Sequence, residues 1–157
     1  MEHKPFKHDI KPFTKTTEEV ESIWRMWQAA FPTWPLERQR LEKILTVLPG
    51  HHFIHEKGFC LSYLADGTHG QIAAIGVLPE HRRNGLGSDL LARAIDGLRD
   101  AAHGGDGGEL KSVEIGSSMP RFWPQMPKSM PQDVKDFFTH RGIGCQQNIL
   151  IACANML

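Results

Sequence analysis

The sequence carries no excess of charge of either sign. Its 157 residues include 18 lysines and arginines and 18 aspartates and glutamates, so the formal net charge is zero when histidine is neutral. Proteins that bind nucleic acids or anionic membranes electrostatically need an excess of basic residues. The composition therefore predicts no nucleic-acid partner and no polybasic contact with a membrane.

Long apolar runs are also absent from the sequence. No run approaches the roughly 20 residues that a membrane-spanning helix needs. Residues 1–15 contain Lys, His and Pro but lack the apolar stretch of a secretory signal peptide. We therefore expect neither a membrane partner nor secretion.

Cysteine is scarce, with three residues that are widely spaced: Cys60, Cys145 and Cys153. Their number and spacing fit no zinc motif, redox pair or disulfide framework. Four histidines also lack metal-ligand spacing, and we interpret them as surface or hairpin residues: His51, His52, His55 and His69. These patterns predict a reduced, cytoplasmic protein without a metal site.

Apolar residues make up 40% of the chain, which is enough for one hydrophobic core. Their helical spacing predicts helices at about 16–31, 35–48, 90–98 and 134–142. Shorter apolar segments predict strands at about 52–55, 59–65, 71–78, 112–115 and 147–152. Because the sequence has no repeats and no convincing linker, we expect a single α/β domain over residues 1–157.

The segment between the central predicted strand and the third helix carries the most informative motif. Residues 77–88 read Val-Leu-Pro-Glu-His-Arg-Arg-Asn-Gly-Leu-Gly-Ser. Gly85 and Gly87 permit unusual backbone angles, and a helix that begins here presents unpaired N–H groups and the positive end of its dipole. Because Arg82 and Arg83 lie beside these groups, the segment predicts a phosphate or pyrophosphate site at a helix N-terminus.

Two common phosphate-binding loops do not fit this segment. A P-loop needs Gly-Lys-Ser or Gly-Lys-Thr, and the chain has neither. A dinucleotide-binding loop needs a third glycine where this sequence has Leu90.

The pattern Arg82-x-x-Gly85-x-Gly87, preceded by Val77-x-Pro79, resembles the pyrophosphate loop of the GNAT superfamily of acyl-CoA-dependent N-acyltransferases. The predicted elements around it follow the order of that family. The resemblance implies a mixed, mostly antiparallel α/β sheet of about six strands, with four helices on both faces and a splay between strands 4 and 5. It also implies acetyl-CoA as the co-substrate.

The resemblance assigns the acyl-CoA contacts to one strand end and the loop that follows it. The implied binding residues are Ile75, Val77, Leu78, Arg82, Arg83, Asn84, Gly85, Leu86, Gly87 and Ser88. In the family, main-chain N–H groups of the loop bind the pyrophosphate. An N–H near Val77 would polarise the thioester carbonyl, as in an oxyanion hole.

The catalytic positions depart from the family pattern. Many members place a tyrosine four residues before the glycine that closes the last helix, and Phe138 stands there in this sequence. Many also carry a glutamate in the strand before the loop, and residues 71–78 contain none. Glu114, in the next predicted strand, is therefore our candidate for the general base.

The resemblance also suggests where the amine substrate binds. Trp34 lies between the first two helices, and Arg121 and Trp123 lie in a proline-rich loop that is similar to one in relatives acting on glucosamine. The sparse acid–base groups favour an amine of low basicity, such as an amino sugar. Two alternatives stay open at this stage: a CoA-binding regulatory or assembly module with weak catalysis, and a protein or peptide N-acetyltransferase.

The C-terminal part of the sequence has room for one strand after the last predicted helix, whereas the family usually has two. An unpaired strand edge invites pairing with another chain or module. We therefore expect either that the last strand is missing, or that a second module or a homodimer formed through this edge completes the sheet.

Overall fold

A six-stranded sheet forms the framework, and strands that follow each other in the chain are neighbours in the sheet. The computed structural model describes residues 8–32, 35–103, 109–115 and 144–145. The strands are β1 (Lys11–Pro12), β2 (Phe53–His55), β3 (Gly58–Leu64), β4 (His69–Val77), β5 (Ser112–Ile115) and β6 (Gly144–Cys145). Strands β1 to β4 pair antiparallel, whereas β5 runs parallel to β4 and β6 runs parallel to β5.

Three α-helices pack on the sheet: α1 (Thr17–Ala30), α2 (Arg38–Val47) and α3 (Leu86–His103). Thr16 and Glu19 form the predicted capping box, which provides partners for N–H groups that the first turn of α1 leaves unpaired. Trp24 Nε1 donates to the Leu36 carbonyl at 3.0 Å and ties α1 to the connection with α2. None of the helices in the described part of the chain is long and apolar enough to cross a membrane.

The helices cover opposite faces of the sheet. A Cβ built on Gly58 would lie 2.9 Å from Cδ1 of Leu90 in α3. A Cβ built on Gly76 would instead lie 3.4 Å from Cβ of Ala30 in α1. One face therefore packs against α3, and the other packs against α1 with α2 beside it.

An aromatic cluster fixes α1 on β3. Trp27 and Phe31 of α1 are buried with Phe59 of β3. The ring centroids of Trp27 and Phe31 are 5.0 Å apart edge to face, and those of Trp27 and Phe59 are 6.0 Å apart and stacked. Such offset and edge-to-face contacts are the favourable aromatic geometries, so the cluster holds the helix in one orientation.

A β-bulge interrupts the pairing of β3 with β4. Leu61 lies opposite Ala74 and Ser62 lies opposite Ile72, so Ala73 is an extra residue on β4. Described pairing of β4 with β5 joins residues 69–72 to residues 112–115, and β4 then continues to Val77. The place where we expect the splay, alongside residues 73–77, therefore lies beyond the described part of β5.

The structure confirms three of the predicted helices and four of the predicted strands, with boundaries shifted by a few residues. Strand β1 was not predicted, because two residues that include Pro12 give no alternating pattern. The predicted helix at 134–142 and strand at 147–152 lie outside the described residues. The described part of β6, Gly144–Cys145, precedes the predicted strand at 147–152. The single domain over 1–157 stays a prediction.

His52, which was interpreted as a surface or hairpin residue, directly precedes β2 of the β2–β3 hairpin but does not lie at the surface. Its side chain is buried, and its ring contacts the Tyr63 ring edge to face with centroids 4.9 Å apart. Nδ1 of His52 accepts the Ser62 N–H at 3.1 Å. A Cβ on Gly50 would lie 2.4 Å from the ring, so only glycine allows this approach. Burial, with smaller contributions from nearby positive groups, lowers the pKa of His52 to about 3.

This buried histidine predicts a loss of stability in mild acid. Below pH 6.5 the unfolded chain protonates His52 while the folded chain keeps the ring neutral down to about pH 3. The free energy of unfolding should therefore fall by about 2 kcal/mol between about pH 7.5 and about pH 5 from this group alone. Urea unfolding at both pH values measures the difference.

His52→Asn is the matched variant for this measurement, because its amide oxygen can accept the Ser62 N–H in place of Nδ1. The asparagine variant should lose the His52 part of the pH dependence and keep the part that comes from carboxylates and from His51 and His55, whose pKa values burial also lowers. An equal pH dependence in both proteins would show that the ring is not held neutral.

Candidate functional site

The loop between β4 and α3 adopts the backbone conformation of an anion-binding turn. The chain leaves β4 through a 3-10 turn at Pro79–His81 and reaches α3 after four residues. Arg83 has φ +65° and Gly85 has φ +90°, so both lie in the left-handed region. Backbone turns of this kind direct successive N–H groups toward one point. Residues 83–85 are exposed, so a ligand can reach them.

Glycine is favoured at position 85 because of its backbone angle, since there is room for a side chain there. The atom nearest to a Cβ built there is Cε1 of His8, at 4.0 Å. The left-handed conformation costs an ordinary residue roughly 1–2 kcal/mol. Arg83 accepts that cost two residues earlier, which indicates that the loop as a whole holds this shape.

The first turn of α3 shows which N–H groups the protein itself uses. Asp89 N–H bonds to the Gly85 carbonyl at 3.0 Å, which is the first bond of the helical pattern. Leu86 N–H donates to Oδ1 of Asn84 at 3.2 Å. The side chain of Leu86 is buried, so this residue anchors the helix in the core. Leu86 thus supports the loop, whereas the N–H of Gly87 belongs to the part of the turn that helical bonds do not use.

Arg82 braces the loop against the strand that precedes it. Its Nε donates to the Val77 carbonyl at 3.0 Å, although Arg82 and Val77 are five residues apart. Burial lowers the pKa of the guanidinium, and the carboxylate of Glu80 partly opposes this shift. The side chain therefore has a structural partner in addition to any ligand contact that the sequence predicts.

The end of β4 directs alternate peptide groups toward β5. Leu78 N–H donates to the Lys57 carbonyl at 2.9 Å, on the β3 side. Because peptide groups alternate in direction along an antiparallel strand, those of Val77 and Ile75 face the other way. Of the three strand residues expected to contact acyl-CoA, Leu78 therefore has its N–H already bonded within the protein.

Glu114 lies in a row of polar side chains that crosses three strands. It is the register partner of Gln71 in β4, and Gln71 is in turn the partner of Tyr63 in β3. Register partners share a face of the sheet. A Cβ on the adjacent Gly70 would point at Leu98 of α3, so this row lies on the opposite face, the one that carries α1 and α2.

Three buried polar atoms on this face have no hydrogen-bond partner among the described residues: Nε2 of His52, the hydroxyl of Tyr63 and the hydroxyl of Ser112. Ser112 lies two residues before Glu114 in β5, so the two side chains point the same way. Burial raises the pKa of Tyr63 well above its usual range, so its hydroxyl stays protonated. Buried polar atoms are rarely left unpaired in proteins, so each of these three atoms can still bond to a group outside the described residues.

The structure brings together the predicted loop residues and places Glu114 on β5, half-buried. Trp34, Arg121 and Trp123 lie outside the described residues.

Cys60 is buried, and burial raises the pKa of its thiol, so it is not an available nucleophile. No group of three or more metal-ligating side chains occurs among the residues that the structure describes.

Sequence reasoning missed two residues beside the loop. His8 and Asp89 are 81 positions apart, and Nδ1 of His8 lies 2.6 Å from Oδ2 of Asp89. Asp89 is in the first turn of α3, so a carboxylate lies close to the predicted anion site. No local pattern in the sequence links the N-terminal segment to this helix.

Comparison with known proteins gives one family. The family model for the Acetyltransferase (GNAT) family matches residues 18–107. No curated protein sequence matches the chain.

Solved structures share the fold at low sequence identity. A glucosamine N-acetyltransferase region of a fungal multi-domain GH3 β-N-acetylglucosaminidase has a TM-score of 0.66 and 22% identity, and the match covers 88% of this chain but 17% of that one. The ribosomal-protein-S18-alanine N-acetyltransferase from Escherichia coli has a TM-score of 0.59 and 15% identity, and the match covers 84% of this chain and 75% of that one. A GNAT family acetyltransferase from Elizabethkingia anophelis, solved with acetyl-CoA bound, has a TM-score of 0.57 and 18% identity. The match covers 84% of this chain and 73% of that one.

The family match spans more than half of the sequence and includes both β4 and the loop that leads into α3. The mixed, mostly antiparallel sheet and the exposed left-handed turn before α3 agree with that assignment. The chain therefore belongs to the GNAT family of acetyltransferases, enzymes that transfer an acetyl group from acetyl-CoA.

Proposed function

We propose that the protein is an acetyl-CoA-dependent N-acetyltransferase that acts on the primary amine of a small, hydroxyl-bearing molecule, with an amino sugar such as glucosamine as the favoured acceptor. The observation that carries the proposal is the exposed left-handed turn at the N-terminus of α3, directly after β4. This turn supplies the anion site, and the polar row at Glu114 supplies the acceptor site. The resulting enzyme binds both substrates at once.

The loop fits the diphosphate of acetyl-CoA. Gly85 and Gly87 leave the backbone accessible, and Arg82 and Arg83 add positive charge beside it. The carboxylate of Asp89 is hydrogen-bonded to His8, and this contact reduces its repulsion of a bound anion. In this arrangement Gly85, Gly87 and Ser88 bind the diphosphate through main-chain N–H groups, and the peptide groups of Ile75 and Val77 contact the pantetheine arm.

Acetyl-CoA supplies an acetyl group that is activated as a thioester. A main-chain N–H of β4 that is directed toward β5 donates to the thioester carbonyl and stabilises the negative charge that develops there. Glu114 removes a proton from the acceptor amine as it attacks the carbonyl carbon. The departing thiol has a pKa of about 8.5, so it leaves as a thiolate without a dedicated tyrosine acid.

The groups around Glu114 support this acceptor class. Keeping a lysine-like amine neutral at pH 7 costs about 4–5 kcal/mol, whereas an amine beside electron-withdrawing hydroxyls is less basic and costs less. The hydroxyls of Tyr63 and Ser112 and the amide of Gln71 provide hydrogen-bonding groups on the same face. This set favours an acceptor with several hydroxyls. Trp34, Arg121 and Trp123 remain its predicted further contacts.

An amine panel tests the acceptor class. Thiol release from acetyl-CoA is measured with glucosamine, a polyamine, an aminoglycoside and an N-terminal peptide as acceptors. We expect kcat/KM for glucosamine to exceed that for the polyamine and the peptide by at least about tenfold. Faster turnover of the peptide would favour a protein N-acetyltransferase, and no turnover with any amine would favour a CoA-binding module.

A further inference from the structure

We propose that His8 masks the charge of Asp89 and thereby permits tight binding of the acetyl-CoA diphosphate at the start of α3. The inference rests on the proposed function, since it concerns the same anion site. It assigns a role to the N-terminal segment, which lies outside the residues that match the family. His8 is a positioning residue here, because it acts through Asp89.

Asp89 lies beside the proposed diphosphate site, where a second negative charge is unfavourable. It is the residue whose N–H closes the first helical bond of α3, on Gly85, so it belongs to the first turn. A carboxylate in a first turn is stabilised by the helix dipole, but it competes with a ligand anion for the same positive potential. An unmasked Asp89 would repel the diphosphate across a distance shorter than the screening length of physiological salt.

His8 is placed to remove this repulsion. Nδ1 of its ring lies 2.6 Å from Oδ2 of Asp89, and the two side chains are 14% and 23% exposed, so solvent screens the contact only in part. The ring directs an N–H at the carboxylate, and in the protonated state it adds a full positive charge. Cε1 of the same ring is the atom nearest to the open side of Gly85, at 4.0 Å.

A neighbouring histidine holds His8 in this position. The rings of His8 and His55 meet edge to face with centroids 5.7 Å apart. Nδ1 of His55 accepts the N–H of Lys57 at 3.0 Å, which fixes that ring in the turn between β2 and β3. His8 therefore packs between a fixed ring and the first turn of α3, which leaves its side chain little freedom to turn away from Asp89.

The test is a double-mutant cycle on acetyl-CoA binding, measured by calorimetry with the full chain. His8→Ala should raise Kd about fivefold, because it exposes the charge of Asp89. Asp89→Asn should leave Kd unchanged or lower it, and His8→Ala with Asp89→Asn should return Kd to within about twofold of Asp89→Asn alone. His8→Arg should stay near the wild-type value, and the His8→Ala effect should shrink as salt is raised.

His69→Ala is the matched control, because His69 and Asp66 form a similar pair at 2.7 Å in the turn that leads into β4. It should leave Kd unchanged. If His8 only tethers the N-terminal segment, Asp89→Asn will weaken binding as much as His8→Ala, and the double variant will recover nothing, which overturns the inference. An unchanged Kd in His8→Ala also overturns it. Absence of acetyl-CoA binding by the wild-type protein would instead refute the proposed function, and this inference with it.

Discussion

Replacing Gly87 with aspartate should abolish tight acetyl-CoA binding without unfolding the protein. The residue lies in the first turn of α3, where a carboxylate is favourable for the helix itself. The same carboxylate would lie within a few ångströms of the ligand diphosphate, and repulsion at that range amounts to about 3 kcal/mol at an intermediate dielectric. We therefore expect Kd for acetyl-CoA to rise about 100-fold, with the melting temperature unchanged or higher.

Gly87→Asn separates charge from size in this experiment, because its side chain has nearly the same shape and no charge. The asparagine variant should lose far less affinity than the aspartate variant. Calorimetry gives both Kd values, and thermal unfolding shows whether the proteins are folded. Equal losses in the two variants would mean that the diphosphate binds elsewhere and that the side chains act through the shape of the loop.

Glu114→Gln should remove most of the catalytic rate and leave the binding of acetyl-CoA intact. A general base contributes about 10²–10⁴ in rate, so we expect kcat to fall about 100-fold or more. The fall should be largest near neutral pH and should shrink at high pH, where the acceptor amine is already neutral and needs no base. Thiol release followed across the pH range measures both effects.

Glu109→Gln is the matched control for Glu114→Gln. Glu109 is exposed and precedes β5 by a few residues, so its replacement should leave the pH profile unchanged. A second variant exchanges the register partners, with Glu114→Gln and Gln71→Glu together, and should restore part of the rate if the carboxylate is needed on this face. A Glu114→Gln variant with an unaltered pH profile would remove Glu114 from the mechanism.

Structural elements that depend on residues close together in the sequence could be predicted from local sequence patterns. The capping pair Thr16 and Glu19 marks the start of α1, because a capping box involves residues only three apart. The apolar run from Gln71 onward indicated a strand covered on both faces, and β4 is buried almost throughout. Gly85, after this strand, indicated the turn before α3, since glycine adopts a positive φ more readily than other residues.

Features that depend on distant residues could not be predicted in this way. The pairing of His8 with Asp89 arises only when the N-terminal segment lies across the start of α3. The burial of His52 depends on its contacts with Gly50, two residues before it, and with Tyr63 in β3. The bulge at Ala73 is set by the register between two strands, and neither strand shows it in its own sequence pattern.

Titration of the isotope-labelled protein with acetyl-CoA, followed through its backbone amide resonances, tests the central claim most directly. Saturable shifts should concentrate at Gly85 and Gly87 in the loop and at Ile75 and Val77 on β4. The cleft of about 350 Å³ at the β1–β2 edge, where Asp9 and Glu56 lie, should show none. Saturable shifts at that cleft, with the loop amides unmoved, would contradict the assignment of the turn after β4 as the site that binds acetyl-CoA.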